Sequence, residues 1–326
     1  MTSQAGPDHI PKLSVIMLLP DGYESRRRAI SFLEKQTVRE EIELVLVTAA
    51  HLDFELDEKQ LASFGSYQLI KVPELIDPGQ GFAAGIRGAR AAVVAYVEEH
   101  SFPEPTWGQA LLSAHAGPYA AVGCTMGNAN PDTLCSWSNL FEEFGPVVAP
   151  AASGVATYLG GHHTSYKRDI LLSYGDALPN LMDNETALHI DLRQRGHQLY
   201  LAGDAVSNHV NFSQLLPYFR QDFVGQRSFA ATRAAAQNWS AGKRALYCFA
   251  APIIPFVLLI RIVKEMRRAR RAAQLLPQAL LLLIPAIVCG TIGETVGYIF
   301  GDSPANIKMK AEAELDRLRF VTQKER

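Results

Sequence analysis

AVVAYVEEHSFPEPTWGQALL, residues 92–112, is the stretch on which the fold turns. The apolar run 93–97 stops at three polar groups, Glu98, Glu99 and His100. Pro103 and Pro105 follow, then Trp107 and a helix-like apolar repeat. A short apolar run bounded by breakers reads as a buried strand. Two carboxylates and an imidazole at the carboxyl end of such a strand are costly unless they are paired or coordinate something. Carboxylate and imidazole ligands suit Mg²⁺ or Mn²⁺, and such a cation suits a diphosphate. The competing reading is an acidic loop that merely follows a strand.

Working outward, residues 13–19 (LSVIMLL) form a second strand-like run, ended by Pro20, Asp21 and Gly22. Residues 25–36 have helical spacing, with Ile30 and Leu33 on one face and arginines opposite. Residues 42–47 and 67–72 read as further strands, and 85–92 as a short helix feeding the strand 93–97. Strands alternating with helices at this spacing imply a mostly parallel α/β sheet. Ligands on such sheets bind beyond the carboxyl ends of the strands, where both Asp21 and residues 98–100 fall. Further on, Asp183, Asn184 and Glu185 precede a helical run, 186–195, closed by Gly196. A carboxylate there suits the helix dipole and reads as a cap.

At 326 residues the chain can bury a full core. With 48% hydrophobic and 20% charged residues it is globular rather than disordered. A net charge of −2 gives no electrostatic case for nucleic acid as a partner. Cys124, Cys135, Cys248 and Cys289 show no metal-binding spacing and read as buried thiols in a reducing compartment. The first residues carry no apolar stretch, so the expected location of the main domain is cytoplasmic.

These segments, in this order from about Lys12 to about Asn211, resemble family-2 glycosyltransferases with the GT-A fold. The strand 93–97, the acidic triplet and the Pro-Glu-Pro-Thr-Trp step (residues 103–107) are similar to that family's strand, Asp-x-Asp and "pepgW" elements. The resemblance implies a GT-A-like, Rossmann-type, mostly parallel sheet flanked by helices, followed by C-terminal apolar helices. It implies a nucleotide-sugar donor and a divalent metal, Mg²⁺ or Mn²⁺, held by Glu98 and His100. Donor contacts fall to Pro20, Asp21, Asp53, Arg87, Glu98 and Glu99. The family's acidic turn after the second strand reads Val-Thr-Ala-Ala-His here, which leaves Asp53 as the nearest carboxylate; Arg87 reads equally as a solvated helix charge. Gly160, Gly161, His162 and His163, followed by Tyr-Lys-Arg-Asp, are similar to the acceptor-side segment, whose plain reading is a turn. Glu185 takes the position of the catalytic base. His209, in GDAVSNHVNFS, takes that of a late histidine that binds metal or diphosphate, and reads otherwise as a core residue. Trp137 is a candidate to stack on an acceptor sugar or to sit in the core.

The character changes near residue 245. Two apolar stretches, 245–263 and 275–300, each long enough to cross a bilayer, flank the basic linker KEMRRARRAA. A full crossing before that linker would put its arginines on the far side, against the positive-inside tendency. The first stretch is therefore expected to lie in the interface or re-enter, with the arginines on anionic lipid at the inner face of the cell membrane. A buried helical pair or a dimer interface is the alternative. The expected organisation is an N-terminal tail (1–11), a GT-A domain (12–240), membrane-associated apolar helices with the basic linker (241–302) and a charged C-terminal segment (303–326). The expected activity is transfer of a sugar to a hydroxyl acceptor, inverting and metal-assisted. A lipid-linked or cell-envelope glycan as acceptor would explain the tail. A catalytically silent GT-A scaffold or glycan-binding protein, and a nucleotidyltransferase-like enzyme, are the competing classes.

Overall fold

A computed structural model describes residues 3–4, 10–75, 77–161 and 163–322. Its strands are β1 (Ser3–Gln4), β2 (Leu13–Leu19), β3 (Ile42–Ala49), β4 (Ser66–Val72), β5 (Val93–Tyr96), β6 (Ser101–Pro103), β7 (Tyr119–Asn128), β8 (Gly154–Ala156), β9 (Thr164–Lys167) and β10 (Gln198–His209). They form one sheet in the order β1-β4-β3-β2-β5-β9-β7-β10-β6, with β8 on β10. The β4-β3-β2-β5 half is parallel, and β2 and β3 are buried at every position. Continuous Val/Ile/Leu runs are what a parallel sheet covered on both faces requires. Beyond β5 the sheet turns antiparallel, with Val94 opposite Tyr166 and Tyr166 opposite Ala121. The parallel half and the strand 93–96 are as the sequence reading expects.

The chain separates into two compact units. The first comprises residues 1–127 and 149–208, the second 128–148 and 209–326. Helices α1 (Arg27–Leu33), α2 (Glu58–Leu61), α3 (Pro78–Gly88), α4 (Trp107–His115), with α6 (Arg168–Leu172), α7 (Leu178–Asp183) and α8 (Glu185–Gln194), belong to the first. The helix expected over 85–92 in fact starts at Pro78 and ends at Gly88. Asp77 caps it, accepting from Gln80 N–H at 2.8 Å, with Pro78 in the first turn. Its glycines disguise it as a loop, yet they let the helix lie directly on β2: a Cβ at Gly85 would sit 2.5 Å from Ile16 Cγ2.

The second unit is helical: α5 (Leu134–Phe144), α9 (Leu215–Ala236), α10 (Ala241–Ala250), α11 (Ile254–Arg268), α12 (Ala272–Leu275), α13 (Leu280–Phe300) and α14 (Pro304–Leu315). Residues 241–268 run as one helical rod, and this rod and α13 are both long and apolar enough to cross a membrane. Among the four thiols, Cys124 and Cys135 are buried as expected, while Cys248 and Cys289 are only half-buried.

Candidate active site

The chain leaves β5 through Val97, whose N–H still bonds Ile16 C=O at 3.1 Å. A turn closed by Ser101 N–H to Glu98 C=O, 3.1 Å, folds residues 98–100 into the interior before β6 begins. His100 is 0% exposed. Its Nε2 lies 3.2 Å from Glu98 Oε2 and its Nδ1 3.2 Å from Glu99 Oε1. Burial alone would lower its pKa, but the charges of Glu98 and Glu99 prevail and raise it to about 10. His100 is therefore an imidazolium set between two carboxylates.

That cluster is anchored from two sides. His163, also buried, places Nε2 3.6 Å from Glu98 Oε2. Arg26 is buried at the start of the segment leading into α1. Its Nε donates to Leu18 C=O at 2.9 Å, its Nη1 to Asp21 Oδ1 at 2.5 Å, and its Nη2 lies 3.6 Å from Glu99 Oε2. One guanidinium thus ties the two polar strand ends, after β2 and after β5, together. Sequence reasoning missed Arg26, because three consecutive arginines looked like a solvated helix face. Its signal was the pairing with Asp21, five residues earlier, at the end of a strand.

Glu185 lies in the same unit, only 4% exposed. The plain reading as a helix cap is corrected here, since Asn184 holds that place and accepts from Ala187 N–H at 3.2 Å. Glu185 Oε1 accepts from the hydroxyls of Tyr96 and Tyr166, the latter at 2.6 Å. Tyr166 Oη also lies 2.8 Å from His189 Nε2. Burial keeps the Tyr166 hydroxyl protonated, well above its ordinary pKa, and pushes His189 down to about 4, so that ring is neutral near pH 7. The donors therefore run in one direction, His189 Nε2–H to Tyr166 Oη–H to Glu185 Oε1. The other oxygen, Oε2, faces Gly161, where an added Cβ would come within 3.4 Å. Tyr96 and Tyr166 meet because β5 and β9 are antiparallel neighbours. That pairing carries no local sequence signal.

The remaining candidates divide. Pro20 is half-buried directly after β2, and Asp53 is exposed in the loop after β3, both at carboxyl ends of strands. Arg87 is at the other edge. The carboxyl end of α3 abuts the first residues of the strands: Ala91 N–H bonds Ser14 Oγ at 3.0 Å and Arg90 pairs with Glu43 at 2.7 Å. Arg87 itself donates to Gly175 C=O at 3.1 Å. This sets Arg87, expected as a donor contact, at the edge of the sheet where the strands begin. His163, expected on the acceptor side, lies against Glu98 instead. His162 is outside the described residues.

In the second unit, His209 is buried at the last position of β10. Asn211 Nδ2 donates to Asn128 Oδ1 and to His209 C=O, so its Oδ1 accepts, and His209 Nδ1 lies 3.0 Å from it. This places the ring proton on Nδ1. Trp137 is half-buried, with Nε1 donating to Pro131 C=O at 3.0 Å and Arg271 over its ring.

No family model matches the chain, and no curated protein matches it. Solved structures do. The mannosyltransferase PcManGT from Pyrobaculum calidifontis, in complex with GDP-Man and Mn²⁺, is similar with a TM-score of 0.53 at 16% identity, covering 96% of this chain and 90% of its own. GalNAc-T7, with UDP, GalNAc and Mn²⁺, gives 0.48 at 15% identity over 62% of this chain. The match spans only 43% of the GalNAc-T7 chain. The chain has the GT-A fold.

Proposed function

We propose that the chain is a glycosyltransferase that moves a sugar from a nucleotide-sugar to a hydroxyl acceptor, inverting the anomeric centre, with a divalent cation, Mg²⁺ or Mn²⁺. The observation that carries this is Glu185: a buried carboxylate held by two tyrosine hydroxyls, in a GT-A fold whose β5 ends in a second buried acidic cluster. Inversion needs a base on the face of the sugar opposite the departing diphosphate. Glu185 takes the acceptor proton, while Tyr96 and Tyr166 hold its carboxylate in place.

The donor set at the acidic turn fits a cation of this class. Glu98 offers a carboxylate oxygen, and His100, on releasing the proton it holds between Glu98 and Glu99, offers an imidazole nitrogen, a mixture that Mn²⁺ accepts. Glu98 and His100 would hold the ion, and it would supply charge neutralisation for the leaving nucleoside diphosphate. Pro20, Asp21 and Asp53 border the nucleotide, and Arg26 fixes Glu99 and Asp21 as a rigid wall. Gly161 and His162 are proposed on the acceptor side. GDP-mannose, bound in PcManGT, names the donor class to try first. We assign the catalytic role to a cytoplasmic domain over 12–240, and a lipid-linked or cell-envelope glycan as acceptor follows from the apolar helices of 241–302.

The test is release of nucleoside diphosphate from a panel of GDP- and UDP-sugars with Mn²⁺. Turnover with one donor, dependent on Glu185, is expected. A second reading is favoured by His100, whose imidazolium already balances the acidic turn: a GT-A-fold protein that binds glycan without transfer. Absence of turnover with every donor, together with glycan binding, would establish that reading instead.

A further inference from the structure

The outer face of the rod 241–268 breaks the usual rule for a soluble surface. Leu246, Phe249, Ile253, Phe256, Val257 and Ile260 are all exposed, Phe249 at 85% and Ile260 at 71%. Their spacing follows one helical face, and on the opposite face, toward the end of the rod, Ile262 and Met266 are buried in the unit. Cations bracket the apolar face. Lys243 and Arg244 precede it; Arg261, Lys264, Arg267 and Arg270 follow it. Between the brackets, residues 245–260 span about 22 Å of helix. That is less than the roughly 30 Å hydrocarbon core, so a crossing would drag one set of cations into lipid. A helix lying flat keeps both sets at the headgroups of one leaflet.

α13 is long enough to cross, but its inner face forbids it. A Cβ at Gly293 would sit 2.1 Å from Phe223 C=O, and one at Gly297 would sit 2.4 Å from Arg227 C=O, so α13 is seated backbone to backbone on α9. α9 is a polar helix along that contact. Arg227 Nε donates to Gly301 C=O at 3.0 Å, Ser228 Oγ to Asp302 at 2.6 Å and Arg233 Nη1 to the Tyr298 hydroxyl at 3.3 Å. Carrying α13 through a bilayer would carry these charges with it, which hydrocarbon opposes. The outer face of α13 remains apolar, with Leu281, Ile284, Val288, Ile292 and Phe300 exposed, and α13 packs on both α10 and α11.

We propose that the second unit is a monotopic membrane-docking surface: the outer faces of the 241–268 rod and of α13 sit in one leaflet of an anionic bilayer, the bracketing cations meet lipid phosphates, and no helix crosses. The complementary charge of the brackets selects an anionic lipid surface over a second copy of this chain. Binding to lipid involves no sugar donor, so this inference stands or falls separately from the transfer reading.

The experiment is flotation of the full chain with vesicles of phosphatidylcholine, with and without phosphatidylglycerol. Strong binding to the anionic vesicles is expected. The triple variant Arg261→Gln, Arg267→Gln, Arg270→Gln should weaken it on the order of 100-fold. Phe249→Asp with Phe256→Asp should abolish it without changing the circular dichroism, since both side chains are exposed. Gln274→Cys and Lys308→Cys, each made alone in a background that lacks Cys248 and Cys289 and keeps only the buried Cys124 and Cys135, report topology. A membrane-impermeant maleimide added outside should label both. Protection of the cysteine at 308 would mean that α13 crosses and would overturn the proposal. So would unaltered flotation of the aspartate variant, or failure to float with a dimer in detergent-free solution.

Discussion

The acidic turn of the first unit and the helical rod of the second invert the ordinary rule of protein surfaces in opposite directions. At residues 98–100 charged groups are buried, with His100 fully enclosed; along 246–260 large apolar side chains face outward. Both arrangements are unfavourable for a chain alone in water. The compensation differs. The buried charges are already paired, His100 with Glu98 and Glu99, and Glu99 with Arg26, so the cluster is stable as it stands. The exposed apolar face has nothing on it but its bracketing cations. A functional polar site can be finished within the fold, whereas a docking face is finished only by its partner.

The sharpest break in this comparison lies in the base. Glu185→Gln should lower transfer by roughly 10²- to 10⁴-fold while leaving donor affinity near wild type, as single-turnover and binding assays will show. Unchanged turnover would reduce Glu185 to another paired interior charge.

The next effect is on acid stability. Burial holds His115 at about 4, with Lys167 adding to it, and holds His189 at about 4, against an ordinary 6.5. Both rings stay neutral in the fold where the unfolded chain protonates them. Their stabilising share is therefore complete above pH 6.5 and lost as pH falls toward 4. Near pH 5 unfolding should take up nearly two protons, a slope of roughly 2.7 kcal/mol per pH unit. Denaturant titrations from pH 7 to 4.5 check this, and His189→Gln should remove about half of it.

Gly293→Ala sharpens the other side, because it forces a methyl group onto Phe223 C=O. It should cost about 1–3 kcal/mol in thermal or chemical unfolding. Asp at Phe249, in contrast, should leave folding stability almost unchanged.

Smallest is Tyr166→Phe, which removes one of the two hydroxyls on Glu185. About tenfold in kcat with KM preserved is expected, the worth of one hydrogen bond to a charged group.

The parallel half of the sheet was legible because β2 and β3 are mostly apolar, interrupted only by Ser14 in β2 and by Glu43 and Thr48 in β3. The ends of strands located residues 98–100 and Asp21 for the same reason. α3 was misplaced because its glycines signal a loop locally, although they serve close packing on Ile16. The place of Arg87 was not legible, because position along the chain does not tell which edge of the sheet a helix returns to. The contacts of Glu185 were out of reach: Tyr96 and Tyr166 lie 89 and 19 residues away and meet only through β5–β9 pairing. Arg26 was hidden among arginines of identical composition and different burial.

The most direct test of the account is calorimetric titration of GDP- and UDP-sugars into detergent-solubilised protein, with and without Mn²⁺, for wild type and Glu98→Ala. The account predicts binding of one donor that Mn²⁺ strengthens and Glu98→Ala abolishes. Binding of no donor under either condition, or binding that survives Glu98→Ala undiminished with Mn²⁺, would contradict it.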